Sequence, residues 1–204
     1  MTDIAAFKKE TRKKLREITK SLTPEYKSEA SDSIVRQCIE SEEYKNAHSI
    51  FVFISMDGEP DTTKLIEQAF TDGKEVYVPR CLSEGIMEAI RIDSFDKLKP
   101  GHYGILEPDE SLKATAVEAF DGEAALAIVP CVGATADGKR MGHGAGYYDR
   151  FLEGRKMKTV MIVYGRQLLT DIPCDEHDII MDKVISEQNY DSAGCVFCMG
   201  NRIP

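Results

Sequence analysis

Three short apolar runs constrain the fold of this chain more than any other feature. Residues 49–55 (Ser-Ile-Phe-Val-Phe-Ile-Ser), 124–129 (Ala-Ala-Leu-Ala-Ile-Val) and 159–164 (Thr-Val-Met-Ile-Val-Tyr) are apolar almost without interruption. Each is far shorter than the ~20 residues that a membrane-spanning helix needs. Their length is that of a strand, and unbroken apolarity is what a strand covered on both faces requires. Helical segments separate them. Phe7, Thr11, Leu15, Ile18 and Leu22 recur at intervals of three and four and predict a first helix. Thr23-Pro24-Glu25 restarts a second, with Thr as cap, Pro in the first turn and an acid at the positive end of the dipole. Residues 61–70 predict a helix capped by Asp61 and closed by Gly73. Residues 147–153 predict a short one. Further strands are expected at 75–79, at 86–92 with more exposure, and at 178–185. Such alternation predicts an α/β fold. The expected architecture is a single-domain three-layer sandwich with a mostly parallel central sheet flanked by helices, preceded by two N-terminal helices. With no repeat or linker, one domain is expected over residues 1–204, with helices in 1–42 and a tail at 195–204.

Charge narrows the class of partner. The chain carries a net charge of −9, which argues against non-specific nucleic-acid binding. Its cations are unevenly placed. Residues 1–20 hold Lys8, Lys9, Arg12, Lys13, Lys14, Arg16 and Lys20 against Asp3, Glu10 and Glu17, so the first helix is a basic element on an acidic protein. The N-terminus lacks the apolar core of a secretion signal, and a cytoplasmic location is expected. There the six cysteines read as reduced thiols. The lone Cys195-Val-Phe-Cys198 has no second pair to complete a zinc site.

The chemical centre is the run Gly138-Lys-Arg-Met-Gly142-His-Gly144-Ala-Gly146-Tyr-Tyr-Asp-Arg150, which follows the apolar run 124–129 and the break at Pro130. Ligands of open α/β sheets bind beyond the carboxyl ends of the strands, so the position suits a site. The run is not a Walker A loop, because Arg140 stands where Ser or Thr must hold Mg²⁺. Nor is it a dinucleotide fingerprint, because the third glycine of Gly142-x-Gly144-x-Gly146 comes one residue early. Its physics still favours phosphate. Glycines allow backbone N–H groups to approach an anion, Lys139 and Arg140 add charge and a planar fork, and a helix begins near Gly146.

This run resembles the signature of the 5-formyltetrahydrofolate cyclo-ligase family, G-x-R-L-G-x-G-x-G-Y-Y-D after a strand ending in Val-Pro. Four further segments carry the same resemblance in order: the basic first helix, Phe53-Ile-Ser-Met56-Asp-Gly-Glu59-Pro-Asp61-Thr, Gly104-Ile-Leu-Glu107-Pro108, and His177-Asp178-Ile-Ile-Met-Asp182. The resemblance implies that Lys8, Lys9 and Arg12 contact ATP. It implies that Arg140, Met141, Gly142, His143, Gly144, Ala145, Gly146, Tyr147 and Tyr148 wrap the nucleotide, with residues 143–147 also lining the folate. Met56, Glu59, Asp61 and Glu107 are implied at the folate, and Asp149 and Asp178 as holders of Mg²⁺. Arg140, Lys139 and Tyr148 are the expected catalytic groups. The implied reaction is ATP- and Mg²⁺-dependent cyclisation of 5-formyltetrahydrofolate to 5,10-methenyltetrahydrofolate. The expected partners are these small molecules, with neither nucleic acid nor membrane, and the expected state is monomeric. Two rival readings remain at this point. One is a folate- or nucleotide-binding protein without turnover, against which the intact Asp149 and Asp178 argue. The other is an ATP-independent sugar-phosphate or acyl-transfer enzyme on a similar scaffold.

Overall fold

A computed structural model describes residues 4–101, 106–175 and 177–188 of the 204-residue chain. Cys195, Cys198 and the expected tail lie outside the described residues, as do Gly104 and Ile105 of the Gly-Ile-Leu-Glu-Pro segment. Helices α1 (Ile4–Ser21), α2 (Pro24–Glu40) and α3 (Glu42–Asn46) precede strand β1 (Ser49–Val52). There follow α4 (Thr63–Thr71), β2 (Glu75–Cys81), β3 (Met87–Ile92), the short strands β4 (Leu98–Pro100), β5 (Leu106–Pro108) and β6 (Ala114–Thr115), and β7 (Ala125–Val129). Then come β8 (Gly133–Thr135), β9 (Arg140–Met141), α5 (Tyr147–Leu152), β10 (Lys158–Ile162), β11 (Leu168–Leu169) and β12 (Lys183–Ile185).

The main sheet has the order β12-β10-β7-β1-β2-β3-β6. Its first five strands run parallel, and β3 and β6 are antiparallel additions at one edge. The apolar runs form β7, β1 and β10, as their composition requires. Alternation within each run decides which layer a side chain meets. Ile50, Val52, Leu126, Ile128, Val160 and Ile162 pack against Ile34, Val35 and Cys38 of α2 and Leu65 and Ile66 of α4. Phe51, Ala127, Val129 and Met161 face the other way, onto Phe151 and Leu152 of α5. Both faces are therefore covered, and the result is the expected mostly parallel α/β sandwich.

Several boundaries differ from the sequence reading. β1 ends at Val52, not residue 55, because its pairing with β2 stops at Phe51 and with β7 at Val52. The chain then leaves the sheet, with Phe53 still buried. The strand over 86–92 is more buried than expected, since Met87, Ala89, Ile90 and Ile92 all face the core. The last strand spans only residues 183–185, and residues 178–182 form a loop. α4 starts at Thr63, so Asp61 stands one residue outside the cap position; its Oδ1 still accepts from the Thr63 N–H at 2.9 Å.

α1 departs furthest from an ordinary amphipathic helix. Phe7 is 45% exposed, and Leu15 is the α1 residue that is fully buried, in a small cluster with Val132, Met141 and Ile172. Polar links complete the docking: Gln167 donates to the Thr19 hydroxyl at 2.7 Å, and Arg12 donates to the Gly142 carbonyl at 2.8 Å. No described helix is long and apolar enough to cross a membrane.

Candidate active site

The carboxyl ends of β1, β2 and β7 open onto a cavity of about 510 Å³. Phe53, Ile54 and Met56 line it after β1, Pro79 and Cys81 at the end of β2, and Pro130 after β7. The glycine run from Arg140 to Asp149 forms a second wall, and Lys8 and Arg12 of α1 a third. Glu59, Leu106, Glu107 and Asp178 complete it.

Arg140 is set by β9, a two-residue strand held by β8. Its side chain is 7% exposed, and its Nη2 donates to Asp149 Oδ2 at 2.6 Å. Its Nε is buried with no partner among the described residues. The guanidinium also lies 5.6 Å from the ring centre of Tyr148, close enough for a cation–π contact. A Cβ on Gly142 would fall 2.7 Å from Arg140 Nη1, so a larger residue there would press on the guanidinium.

Tyr148 is held by Phe51 and by Arg140, and its hydroxyl is a second buried polar group with no partner among the described residues. Burial, then the charges of Glu59 and Cys81, push its pKa well above the usual tyrosine value, and Arg140 opposes them only in part. The group is a neutral donor at any physiological pH. Buried polar atoms without partners are uncommon, so two of them in one cavity wall mark a place that a polar ligand would complete.

Lys8 Nζ meets Asp178 at 2.5 Å and Asp175 at 3.2 Å. Burial works against its charge, but the hydrogen bonds and charges of the two aspartates outweigh it and raise its pKa. Glu59 is 7% exposed; its Oε2 accepts from the Met56 N–H at 3.0 Å, and its Oε1 lies 3.5 Å from His143 Nε2. Its backbone carbonyl accepts from Tyr164 at 2.9 Å, which fixes the turn after β1.

Most of the residues expected from sequence thus share one cavity, including Met56, Glu59 and Glu107, Arg140 to Asp149, and Asp178. Three expected residues do not line it. Lys139 lies beside Arg140 in sequence but outside the cavity, where its Nζ pairs with Asp171 at 2.6 Å. Lys9 follows Lys8 on a helix, where neighbours diverge by about 100°, and is exposed. Asp61 faces a neighbouring polar depression lined by Lys27, Asp32, Lys64 and Tyr164. The apolar lining was missed: Ile54, Pro79, Cys81, Leu106 and Pro130 were not singled out. All but Leu106 lie at or just after the carboxyl end of a parallel strand, where the general rule for α/β sites would have found them.

Among the described residues no group of three or more His, Cys, Asp and Glu side chains is arranged to hold a metal ion. Mg²⁺ asks for less, since it is usually held by one or two carboxylates together with phosphate oxygens and water. Asp149 and Asp178 are such carboxylates on the cavity wall.

The sequence model of the 5-formyltetrahydrofolate cyclo-ligase family matches residues 4–187. The chain belongs to this family. Among curated members, the cyclo-ligase of Escherichia coli K12 is 30% identical over 178 residues, covering 84% of this chain and 96% of its own. The mouse cyclo-ligase is 28% identical over 197 residues, covering 91% and 96%. The 5,10-methenyltetrahydrofolate synthetase of Aquifex aeolicus superposes with a TM-score of 0.76 at 29% identity, covering 89% of this chain and 90% of that one. The Mycoplasma pneumoniae synthetase shares the fold, with a TM-score of 0.70 at 20% identity. The cyclo-ligase match spans all the described elements that build the cavity, from α1 to the loop of Asp178.

Proposed function

We propose that the protein cyclises 5-formyltetrahydrofolate to 5,10-methenyltetrahydrofolate at the expense of ATP, with Mg²⁺, in this cavity. Family membership supports the reaction. The observation that supports its location is the meeting of Arg140, the glycine run, Lys8, Arg12 and two carboxylates around one cavity with an apolar floor.

In this reading the formyl oxygen of the substrate attacks the γ-phosphorus of ATP, and ADP departs. The N5–carbon unit becomes an iminium phosphate, N10 attacks its carbon and gives up its proton to solvent, and phosphate leaves. Phosphoryl transfer asks the protein mainly for position and charge. Arg140 presents a guanidinium whose orientation is fixed by Asp149 and whose Nε has no partner among the described residues, so it is preorganised to neutralise the transferring group. Lys8 and Arg12 add positive charge from α1, and the glycine run lines the same space. Bound Mg²⁺ would be held by Asp149 and Asp178 and would supply further charge neutralisation at the phosphates. The Tyr148 hydroxyl donates one hydrogen bond to the ligand. Phe53, Ile54, Met56 and Pro130 exclude water, and Glu59 offers its carboxylate to the N–H groups of the pterin ring.

The test is methenyl-tetrahydrofolate absorbance in a reaction of purified protein with the 5-formyl compound. Product is expected only when ATP and Mg²⁺ are both present. Product without ATP would favour the ATP-independent alternative, and no product under any condition the non-catalytic one.

A further inference from the structure

Arg150 follows the signature run and is assigned no role by the reading above. Its guanidinium is nevertheless the meeting point of two segments far apart in sequence. Nε donates to the Gly85 carbonyl at 3.1 Å, in the turn between β2 and β3. Nη2 donates to the Ala145 carbonyl, in the glycine run. Both segments leave room for it. A Cβ on Gly85 would fall 1.7 Å from Arg150 Nη2, and one on Gly146 would fall 2.9 Å from Nη1. Both glycines have positive φ, +76° and +68°, so neither position suits another residue. Beside this contact the Tyr147 hydroxyl donates to the Leu82 carbonyl at 2.7 Å. The two segments adjoin one cavity, which Cys81 lines at the end of β2, just before the turn, and residues 142–148 line from the run.

We propose that Arg150 is a positioning residue that clasps the glycine run to the β2–β3 turn, so that the run, which borders both substrates in the reading above, is ordered against the end of β2. The proposal rests on the reading of the cavity as the shared site of ATP and folate. Arg suits this work because its planar fork spreads donors in two directions from one charged group, whereas lysine offers a single point. A clasp of this kind couples the two substrates. Ordering of the run by either ligand lowers the entropy that the second ligand must overcome.

The test compares wild type, Arg150→Met and Arg150→Lys. Arg150 is exposed, so Arg150→Met is expected to keep its Tm within a few degrees. Amide hydrogen exchange in the ligand-free protein is expected to quicken in residues 82–86 and 142–146 together. In the absorbance assay KM is expected to rise for both substrates by about tenfold, the scale of one hydrogen bond to a charged group, with kcat little changed and Arg150→Lys recovering part of the loss. Exchange that quickens in one segment only, or a KM that rises for one substrate only, overturns the clasp. The exchange readout needs no turnover, so an inactive wild type would count against the proposed reaction and leave the clasp to be judged by exchange.

Discussion

Arg140 and Asp149, nine residues apart in sequence, meet at 2.6 Å on the cavity wall and tie strand β9 to helix α5. The guanidinium is therefore both a structural partner and a group with an unused donor, Nε, on the same cavity. Substitutions must separate these two properties.

Arg140→Lys keeps the charge and loses the fork. It is expected to lower kcat by about 10²-fold, the scale for losing one preorganised donor at a developing charge, with the Tm within a few degrees of wild type. Arg140→Ala is the poorer probe, because removing one side of a buried ion pair costs about 3–5 kcal/mol. Steady-state kinetics beside a thermal melt measures both quantities. A wild-type kcat in Arg140→Lys would remove the residue from the chemistry.

Tyr148→Phe is expected to move stability and activity in opposite directions. The hydroxyl is buried without a partner among the described residues, a state that costs about 1–3 kcal/mol. Deleting it is expected to raise the Tm by about 2–4 °C per kcal/mol recovered, while kcat/KM falls about tenfold with the lost ligand bond. A fall in Tm with unchanged activity would show that the hydroxyl serves the fold instead.

Lys8 gives a pH dependence with a definite sign. Its pKa is raised in the folded state, with Asp178 and Asp175 overcoming burial. Its contribution to stability is therefore complete below the unfolded lysine value of about 10.4 and is lost as pH rises through the higher folded value. On the acid side, the pKa of Asp175 is lowered by the His177 N–H and by Lys8, so that its part is lost only as pH falls below the ordinary aspartate range. The difference in Tm between wild type and Lys8→Met is expected to be constant from pH 6 to 9, on the scale of these ordinary values, and to shrink above that plateau. A difference that changes across neutral pH would contradict the pairing.

Glu59→Gln is expected to raise KM for the folate several-fold and leave KM for ATP unchanged. The amide still accepts from the Met56 N–H, which holds the turn, but its charge is gone from the cavity. Equal effects on both KM values would place Glu59 elsewhere in the mechanism.

The fold was legible where composition alone decides it. The runs that became β1, β7 and β10 had to be strands covered on both faces, and Thr23-Pro24-Glu25 had to begin a helix. The strand ends were not legible, because β1 stops where its neighbours stop pairing, a fact about β2 and β7. The candidate cavity was legible through the glycine run, most of which lines it. Lys139 and Arg140 read alike as adjacent cations, yet only the structure shows that one turns to Asp171 and the other into the cavity. Asp61 likewise lies outside that cavity, in the adjoining depression, with its oxygen engaged by the first turn of α4. Arg150 gave no signal, because its partners are backbone carbonyls, and one of them lies 65 positions earlier in the chain.

In the proposed reaction one cavity couples ATP cleavage to ring closure. Its most direct measurement is the stoichiometry of ADP, phosphate and methenyl-tetrahydrofolate in the same reaction of purified wild-type protein with the 5-formyl substrate, ATP and Mg²⁺. Equimolar formation of all three is expected, and none when the folate is omitted. Methenyl product without ADP, or ADP release that continues without folate, would contradict that coupling.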